Sequence, residues 1–216
     1  QIRTAKDTFL VYESVPVTVS IRNFSGRQIQ LQSDGKTPWL KFLVTSEHGD
    51  VVPATGLVVE NDEVLIPSGQ TVTREIDLLP LYEIRSRGSY QIRAMVNVAG
   101  LTAHSTPIDI ATINGRELWS QTIGLPVVDG VAEEYRIYTL LARRDVDKDL
   151  VYISVRGEPS KATYSLVGLG HMLSTAEPQV RIDKAAHLHV LFQNGPRSFG
   201  YMHVDPSAKI IMRAAY

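Results

Sequence analysis

The sequence describes a globular protein: 216 residues, 44% hydrophobic and 21% charged, with a formal net charge of −1. This length suits two domains of about 100 residues each. The basic residues are scattered singly and form no stripe that could follow a phosphate backbone, so we expect no nucleic-acid partner. Cysteine is absent, which excludes disulfides and thiolate metal sites.

The same composition bears on cellular location. A cysteine-free chain fits the cytosol, and equally fits bacterial proteins that are exported. The chain begins at Gln1 and not at Met, for which a removed signal peptide is one explanation and a designed boundary another. No run of about 18 apolar residues occurs, so we expect no membrane span. We therefore expect an exported protein of the periplasm or cell surface.

Apolar and polar residues alternate at period two through the first half of the chain, which is typical of half-buried strands. In residues 15–21 the alternation is clearest, with one aliphatic and one polar face. Pro107 predicts an edge position for the last strand of this half, because proline cannot donate to a ladder. The predicted strands are residues 8–12, 15–21, 28–32, 39–45, 64–66, 71–78 and 101–110, with a turn at residues 33–36.

Residues 76–98 predict a strand, a crossing turn and a second strand entered through Gly88 and Tyr90. The spacing of Tyr90 before Ile92 is that of a tyrosine corner. We expect Tyr90 to be buried and its hydroxyl to bond to backbone between residues 77 and 87. Val19, Trp39 and Ile92 are the expected core residues of this sandwich.

These segments resemble a bacterial immunoglobulin-like domain of the intracellular-proteinase-inhibitor type, over about residues 8–100. The residues that carry the resemblance are 15–23, 42–52 with the turn at residues 48–50, 66–70 and 88–90. They are turns and core positions. The resemblance therefore implies a β-sandwich fold, and it carries over no reactive-loop residue.

Residues 111–116, which include Asn114-Gly115, are the expected boundary, so we predict an immunoglobulin-like domain at 1–111 and a second all-β domain at 112–216. A loop is predicted at residues 126–130. The predicted strands of this half are residues 135–142, 150–155, 163–167, 179–182, 187–193, 199–204 and 209–213. The whole chain is therefore predicted to be all-β.

The last segment, residues 179–214, shows a weaker likeness to a blade of a sialidase-like β-propeller, in its acidic turn followed by a strand of the type Leu-His-Val-Leu. A propeller requires at least about four blades of roughly 40 residues. Only about 100 residues remain after the boundary. We therefore expect the second domain to be a small sandwich or barrel-like.

Histidines are concentrated near the end of the chain. His187 and His189 are two apart on a predicted strand and share one face, and His203 lies on the paired strand. Three imidazoles on one sheet face suit zinc or copper, with Asp183 or Asp205 as a fourth ligand. The alternative is that they are ordinary side chains of a half-exposed sheet. If the histidines are ordinary side chains, we expect the protein to bind no cofactor.

Two other patterns occur in the second half of the chain. Asp145, Asp147 and Asp149 alternate, but the glycine and glutamate of a calcium loop are missing, so they indicate a solvated hairpin tip. Tyrosines are frequent and are candidates for a carbohydrate-binding surface, although strand propensity explains them equally. They are Tyr135, Tyr138, Tyr152, Tyr164 and Tyr201.

No motif of a known catalytic site occurs: there is no G-x-S-x-G, H-E-x-x-H or phosphate-binding loop. We therefore predict a non-catalytic exported binding or structural module with a protein or polysaccharide partner. A protease-inhibitor module is the first alternative, on the resemblance alone. A metal-dependent hydrolase that uses the histidine-rich second domain is the other.

Overall fold

The computed structural model describes residues 1–33, 37–57, 63–98, 100–125, 135–145, 147–158 and 163–216. The chain is all-β, as the alternating sequence predicted. It divides into two compact units, Gln1–Asn114 and Gly115–Tyr216. Within the described ranges, no helix has the length and apolar character needed to cross a membrane. The predicted loop at 126–130, and residues 34–36 of a predicted turn, lie outside these ranges.

The first unit contains two main sheets and a separate pair of short strands. One sheet has the order β1-β3-β7 and the other β2-β10-β8-β5, with β9 added to the end of β8; β4 pairs with β6. Among the strand pairs of the described residues, β2–β10 alone is parallel. The strands are β1 (Ile2–Thr4), β2 (Thr8–Leu10), β3 (Pro16–Arg22), β4 (Ile29–Leu31), β5 (Leu40–Ser46), β6 (Val64–Ile66), β7 (Thr71–Asp77), β8 (Gly88–Val98), β9 (Leu101–His104) and β10 (Ile108–Ile113).

The core of the first unit lies between these sheets. Alternate residues of β3, β5 and β8 are buried, because successive side chains of a strand point to opposite faces. The predicted core residues Val19, Trp39 and Ile92 all belong to one buried cluster. That part of the prediction is confirmed, and the unit is sandwich-like.

Tyr90 occupies the position that the sequence predicted for it. It is buried, and its hydroxyl donates a 2.8 Å hydrogen bond to the carbonyl oxygen of Ser86, four residues upstream. The Thr112 hydroxyl donates to the same carbonyl oxygen at 2.6 Å. The predicted burial and backbone bond of Tyr90 are therefore confirmed, and the two hydroxyls tie β8 and β10 to the turn that precedes them.

The outer edge of β5 forms hydrogen bonds with residues that come later in the chain. The Tyr82 hydroxyl donates to the carbonyl oxygen of Phe42 at 2.7 Å and accepts the Phe42 N–H at 3.1 Å. Further along, Val52 N–H donates to the Val44 carbonyl at 2.9 Å. Ser46 N–H donates to the Asp50 carbonyl at 2.8 Å. Alternate backbone groups of this edge are thus satisfied within the unit.

The prediction that Pro107 marks an edge strand is wrong. The predicted strand at 101–110 is two strands, β9 and β10, and Pro107 lies in the connection between them. β10 is an interior strand between β2 and β8. Proline is tolerated here because it lies before the first residue of β10. The N–H group that proline lacks therefore removes no hydrogen bond from the strand ladder.

In the second unit, the described residues form two four-stranded antiparallel sheets, each of consecutive strands. Their orders are β11-β12-β13-β14 and β15-β16-β17-β18. The strands of the first sheet are β11 (Arg116–Gly124), β12 (Tyr135–Asp145), β13 (Lys148–Glu158) and β14 (Thr163–Leu173). Those of the second are β15 (Gln179–Ile182), β16 (Leu188–Gly195), β17 (Ser198–Val204) and β18 (Ile210–Ala215).

Apolar side chains from both sheets form one buried cluster in the second unit. From the first sheet come Leu140 and Ile153, and from the second Val190 and Met202. Of the two expected architectures, a small sandwich or a barrel, this arrangement of two packed sheets is sandwich-like. The opposite face of β15–β18 is left half-exposed.

The hairpin between β12 and β13 is longer than the sequence predicted. Residues 143–145 and 148–149 were expected to be loop, but they belong to the strands. Asp149 is buried and forms ion pairs with Arg116 at 2.8 Å and Arg144 at 3.5 Å. The expectation that Asp149 is part of a solvated tip was therefore wrong, because a carboxylate that is paired with arginine can be buried.

Candidate functional site

Two equivalent turns connect the strands at one end of the second sheet of the second unit. In the first, Asp183 Oδ1 accepts the N–H groups of Ala185 and His187, both at 2.9 Å. In the second, Asp205 Oδ1 accepts those of Ser207 and Lys209 at 2.8 and 2.9 Å. Turns are commonly stabilised by an aspartate side chain that accepts a hydrogen bond from the backbone N–H two residues later in the chain.

The equivalence of the turns extends to their backbone. Ala186 and Ala208 hold the same place and both have left-handed φ values, 64° and 66°. Each also donates its N–H to the carbonyl oxygen of the aspartate three residues before it. Glycine is the usual residue in this conformation, so both turns carry the same modest strain.

The strand register brings three histidines onto one face. β16 and β17 pair antiparallel with His189 directly opposite His203. The neighbouring residues Leu188, Val190 and Val204 point the other way, into the core. Because side chains alternate along a strand, His187 shares the outward face with His189. The three imidazoles that were predicted as a group therefore lie together.

The contacts within this group are close. His187 Nδ1 is 3.0 Å from His203 Nε2, and the rings of His189 and His203 stack with centroids 4.5 Å apart. Asp183 Oδ2 is 3.2 Å from His189 Nε2 and 3.9 Å from His187 Nδ1. Since Oδ1 of Asp183 is engaged in its turn, it is the second oxygen that faces the imidazoles.

Tyr201 orients one of these rings. It lies on β17 on the same outward face, and its hydroxyl is 2.7 Å from His189 Nδ1. A bond at one ring nitrogen decides which tautomer the imidazole adopts and fixes the ring plane. His189 therefore directs its Nε2 toward Asp183.

The surroundings also shift two pKa values in this group. The backbone N–H of His187, followed by the His189 side chain, holds the pKa of Asp183 below its usual value. Desolvation lowers the pKa of His203, and the neighbouring His189 and His187 lower it further. At neutral pH the group thus combines an ionised carboxylate with an imidazole that resists protonation.

Such a group of donors can bind a metal ion. One donor atom each from Asp183, His189 and His203 lies within 4.8 Å of the others, and His187 is next to two of them. Imidazole nitrogens with one carboxylate oxygen are ligands that zinc commonly takes. Of the two carboxylates proposed from the sequence, Asp183 belongs to this group of donors and Asp205 does not.

The predicted tyrosines whose side chains are described do not share one surface. Tyr138 is fully buried and points into the core of the second unit, where its hydroxyl donates a 2.7 Å bond to the carbonyl oxygen of Ala186. Tyr152 is also buried, while Tyr135 is exposed and Tyr201 is half-buried beside His189. The side chain of Tyr164 lies outside the described residues. Tyr138 and Tyr152 therefore cannot contribute to a surface, because alternation assigns tyrosines to both faces of a strand.

A separate cavity of about 250 Å³ lies in the first unit. Its walls are mostly apolar side chains of β1, β3, β4, β8 and β9, with Arg22 and His104 among them. A binding site of this type normally includes a few convergent polar groups that orient the ligand. The histidine group has such convergence, which makes it the stronger candidate.

The sequence predicted the three histidines but not the role of their neighbours. From the sequence, Tyr201 is a candidate only for carbohydrate binding, and the repeat of the aspartate turn is not predicted. A signal was present, because Asp183 and Asp205 are each followed by alanine three residues on. Comparisons of the chain with protein-family models, with curated proteins and with solved structures gave no match. Function is therefore inferred from the site itself.

Proposed function

We propose that the chain is a non-catalytic binding module of the cell surface or periplasm, with an immunoglobulin-like scaffold as its first unit. Two features support the immunoglobulin-like assignment. The sheet orders β1-β3-β7 and β2-β10-β8-β5 correspond to strands A-B-E and A′-G-F-C of that fold. The bond from the Tyr90 hydroxyl to Ser86 corresponds to its tyrosine corner.

The binding surface in this proposal is the outward face of β15–β18, which we name the histidine face. It combines imidazole, aromatic and methionine side chains, and Phe199 and Met212 are 40% and 51% exposed. Aromatic residues and methionine are enriched at protein interfaces. By strand register, its residues are Gln179, Arg181, His187, His189, Leu191, Gln193, Phe199, Tyr201, His203, Met212 and Ala214.

A protein partner fits this face better than a polysaccharide. Sugar sites use aromatic rings that are available on one surface, and the tyrosines of the second unit are divided between core and exterior. The observation that carries the proposal is the exposure of Phe199 and Met212 beside a half-buried polar cluster. Met212 pairs with His203 in the strand register, and Phe199 lies two residues before Tyr201, so an exposed apolar side chain lies on each side of the cluster. Exposed apolar side chains around a polar group often mark an interaction site.

Site-specific photocrosslinking tests the proposal. A photoreactive amino acid replaces Met212 on the histidine face, or Leu101, which is exposed on the first unit. The full chain is then exposed to cell-envelope fractions of its source. We expect a protein adduct from position 212 and none from position 101. Adducts of equal yield at both positions, or none at 212, contradict the proposal.

Parallel assays separate the alternative functions. Retention on immobilised envelope polysaccharide, lost in Phe199→Ser, would assign the face to carbohydrate. Inhibition of a protease panel would favour the protease-inhibitor module. Hydrolysis of ester or peptide substrates that requires added Zn²⁺ would favour the metal-dependent hydrolase.

A further inference from the structure

We propose that the histidine face holds one zinc ion, bound by Asp183 Oδ2, His189 Nε2 and His203, with His187 Nδ1 as a fourth donor. This inference rests on the proposed function in that it names a ligand of the same face. It requires no catalysis, because three histidines and a carboxylate complete the four-coordinate shell of a structural zinc site.

The distances between the donors support this assignment. Zinc bonds to nitrogen and oxygen of about 2.0–2.2 Å in a tetrahedron place neighbouring donors roughly 3.3–3.5 Å apart. In the structure the separations are 3.0 Å for His187–His203, 3.2 Å for Asp183–His189 and 3.9 Å for Asp183–His187. The donor atoms of Asp183, His189 and His203 all lie within 4.8 Å of one another. Small rotations of the side chains would therefore bring these atoms to zinc-binding geometry.

The donors are also held in place by other bonds. The turn engages Oδ1 of Asp183 through two N–H groups and leaves Oδ2 facing the rings. The hydroxyl of Tyr201 holds the other nitrogen of His189. A hydrogen bond at the second ring nitrogen is the usual support of a metal-binding histidine. Preorganisation of this kind is not needed by imidazoles that merely fill a sheet face.

The donor types select the metal. Calcium and magnesium prefer oxygen ligands, so a set with three nitrogens disfavours both. Copper(II) favours planar sets of donors, whereas these donors come from two different elements: Asp183 from the turn after β15 and the histidines from the sheet face. Zinc, which accepts a tetrahedral set of nitrogen and oxygen ligands, fits these donors best.

Isothermal titration with Zn²⁺ on the full chain, without any histidine tag, tests the site. We expect one ion per chain and no binding of Ca²⁺. His189→Gln and His203→Gln should each weaken zinc binding at least tenfold. Absence of stoichiometric zinc binding, or unchanged affinity in His189→Gln, overturns the proposal. Unchanged affinity in His187→Gln overturns the assignment of the fourth donor.

The repeated turn provides a matched control. Asp183→Asn keeps an oxygen for the turn but removes the ionised ligand, so zinc affinity should fall at least tenfold. Asp205→Asn makes the same change in the equivalent turn and should leave zinc affinity within about twofold. Equal losses in the two variants would show an effect of turn stability and overturn the role of Asp183.

Nitrogen-15 NMR of the imidazoles gives a readout that does not depend on folding stability. Zn²⁺ should shift the ring signals of His187, His189 and His203 and leave those of His48, His104 and His171 in place. Shifts confined to the latter three overturn the site. Failure of the face to crosslink a partner leaves this result unaffected, so the zinc site and the proposed function fail separately.

Discussion

The Tyr138 hydroxyl bonds to the carbonyl oxygen of Ala186 at 2.7 Å, and this bond ties β12 to the turn that holds Asp183. Tyr138 lies in one sheet of the second unit and Ala186 precedes a strand of the other. Both residues are buried, so the bond crosses the core. The position of the Asp183 carboxylate thus depends on a side chain that never reaches the surface.

Tyr138→Phe should destabilise the chain by about 1–3 kcal/mol, because it leaves the buried carbonyl of Ala186 without its donor. Urea denaturation followed by circular dichroism measures the change. Tyr216→Phe at the exposed end of the chain serves as the control and should be neutral within about 0.5 kcal/mol. Equal stability of the two variants would contradict the proposed importance of the bond.

The same tyrosine predicts a loss of stability at alkaline pH. Burial, more than any other cause, raises the pKa of Tyr138 from 10.0 to about 12. The folded chain therefore keeps the phenol proton while the unfolded chain loses it. The stabilisation that the neutral phenol provides is fully present below pH 10. As the pH rises toward 12 it is lost, and the free energy of unfolding falls by about 2–3 kcal/mol.

Measurements of unfolding at pH 9 and pH 11.5 check the alkaline prediction. The natural chain should lose more stability over this interval than Tyr138→Phe, which has no phenol to ionise. Other tyrosines contribute equally to both proteins and cancel in the comparison. Parallel pH profiles would show that Tyr138 does not titrate differently in the two states.

Tyr90→Phe removes the bond to Ser86 and should cost about 1–3 kcal/mol, because the hydroxyl is buried and its acceptor belongs to the turn before β8. Ser86 also accepts from the Thr112 hydroxyl, so part of its hydrogen bonding survives. The double variant with Thr112→Val should therefore cost more than the sum of the single changes. Thermal unfolding of the four proteins of this cycle measures the coupling.

Two glycines that face aromatic rings across strands should respond differently to alanine. A Cβ on Gly200 would lie 2.9 Å from Phe192, whereas one on Gly168 would lie 3.7 Å from Tyr152. Gly200→Ala should thus cost about 1–3 kcal/mol through overpacking. Gly168→Ala should be neutral or stabilising by up to about 1 kcal/mol. Chemical denaturation of both variants tests this, and Phe192→Leu should partly rescue Gly200→Ala.

Arg116→Ala should cost about 1–3 kcal/mol, because it removes the nearer cation from the buried carboxylate of Asp149. Arg116 is itself largely exposed, which keeps the loss below that of a fully buried pair. Arg156→Ala, at an exposed position of β13, is the control and should change little. A Tm drop of equal size in both variants would contradict the role of the ion pair.

Period-two alternation predicted most of the strands and one shared face of histidines, but it missed β1 and β11 and merged β9 with β10. The register of β16 and β17 followed from the hairpin turn near Asn194 and Gly195, and this placed His189 opposite His203. Tyr90 was predictable because its spacing to Ile92 and its preceding turn agree with each other. These features depend on residues that are near in sequence.

The burial of Tyr138 and Asp149 was not predictable in the same way. Alternation assigns each to one of two faces, but only the packing of the two sheets decides which face is covered. Asp149 also depends on Arg116, more than thirty residues away. The orienting contact of Tyr201 with His189 similarly requires the strand register and the rotamers together.

The edge of β5 has a consequence for the behaviour of the chain at high concentration. Strand addition by a second molecule needs a row of unengaged backbone groups. Along β5, the Tyr82 hydroxyl, Val52 and Asp50 already occupy such groups at residues 42, 44 and 46. These bonds therefore disfavour polymerisation of the chain through this sheet edge.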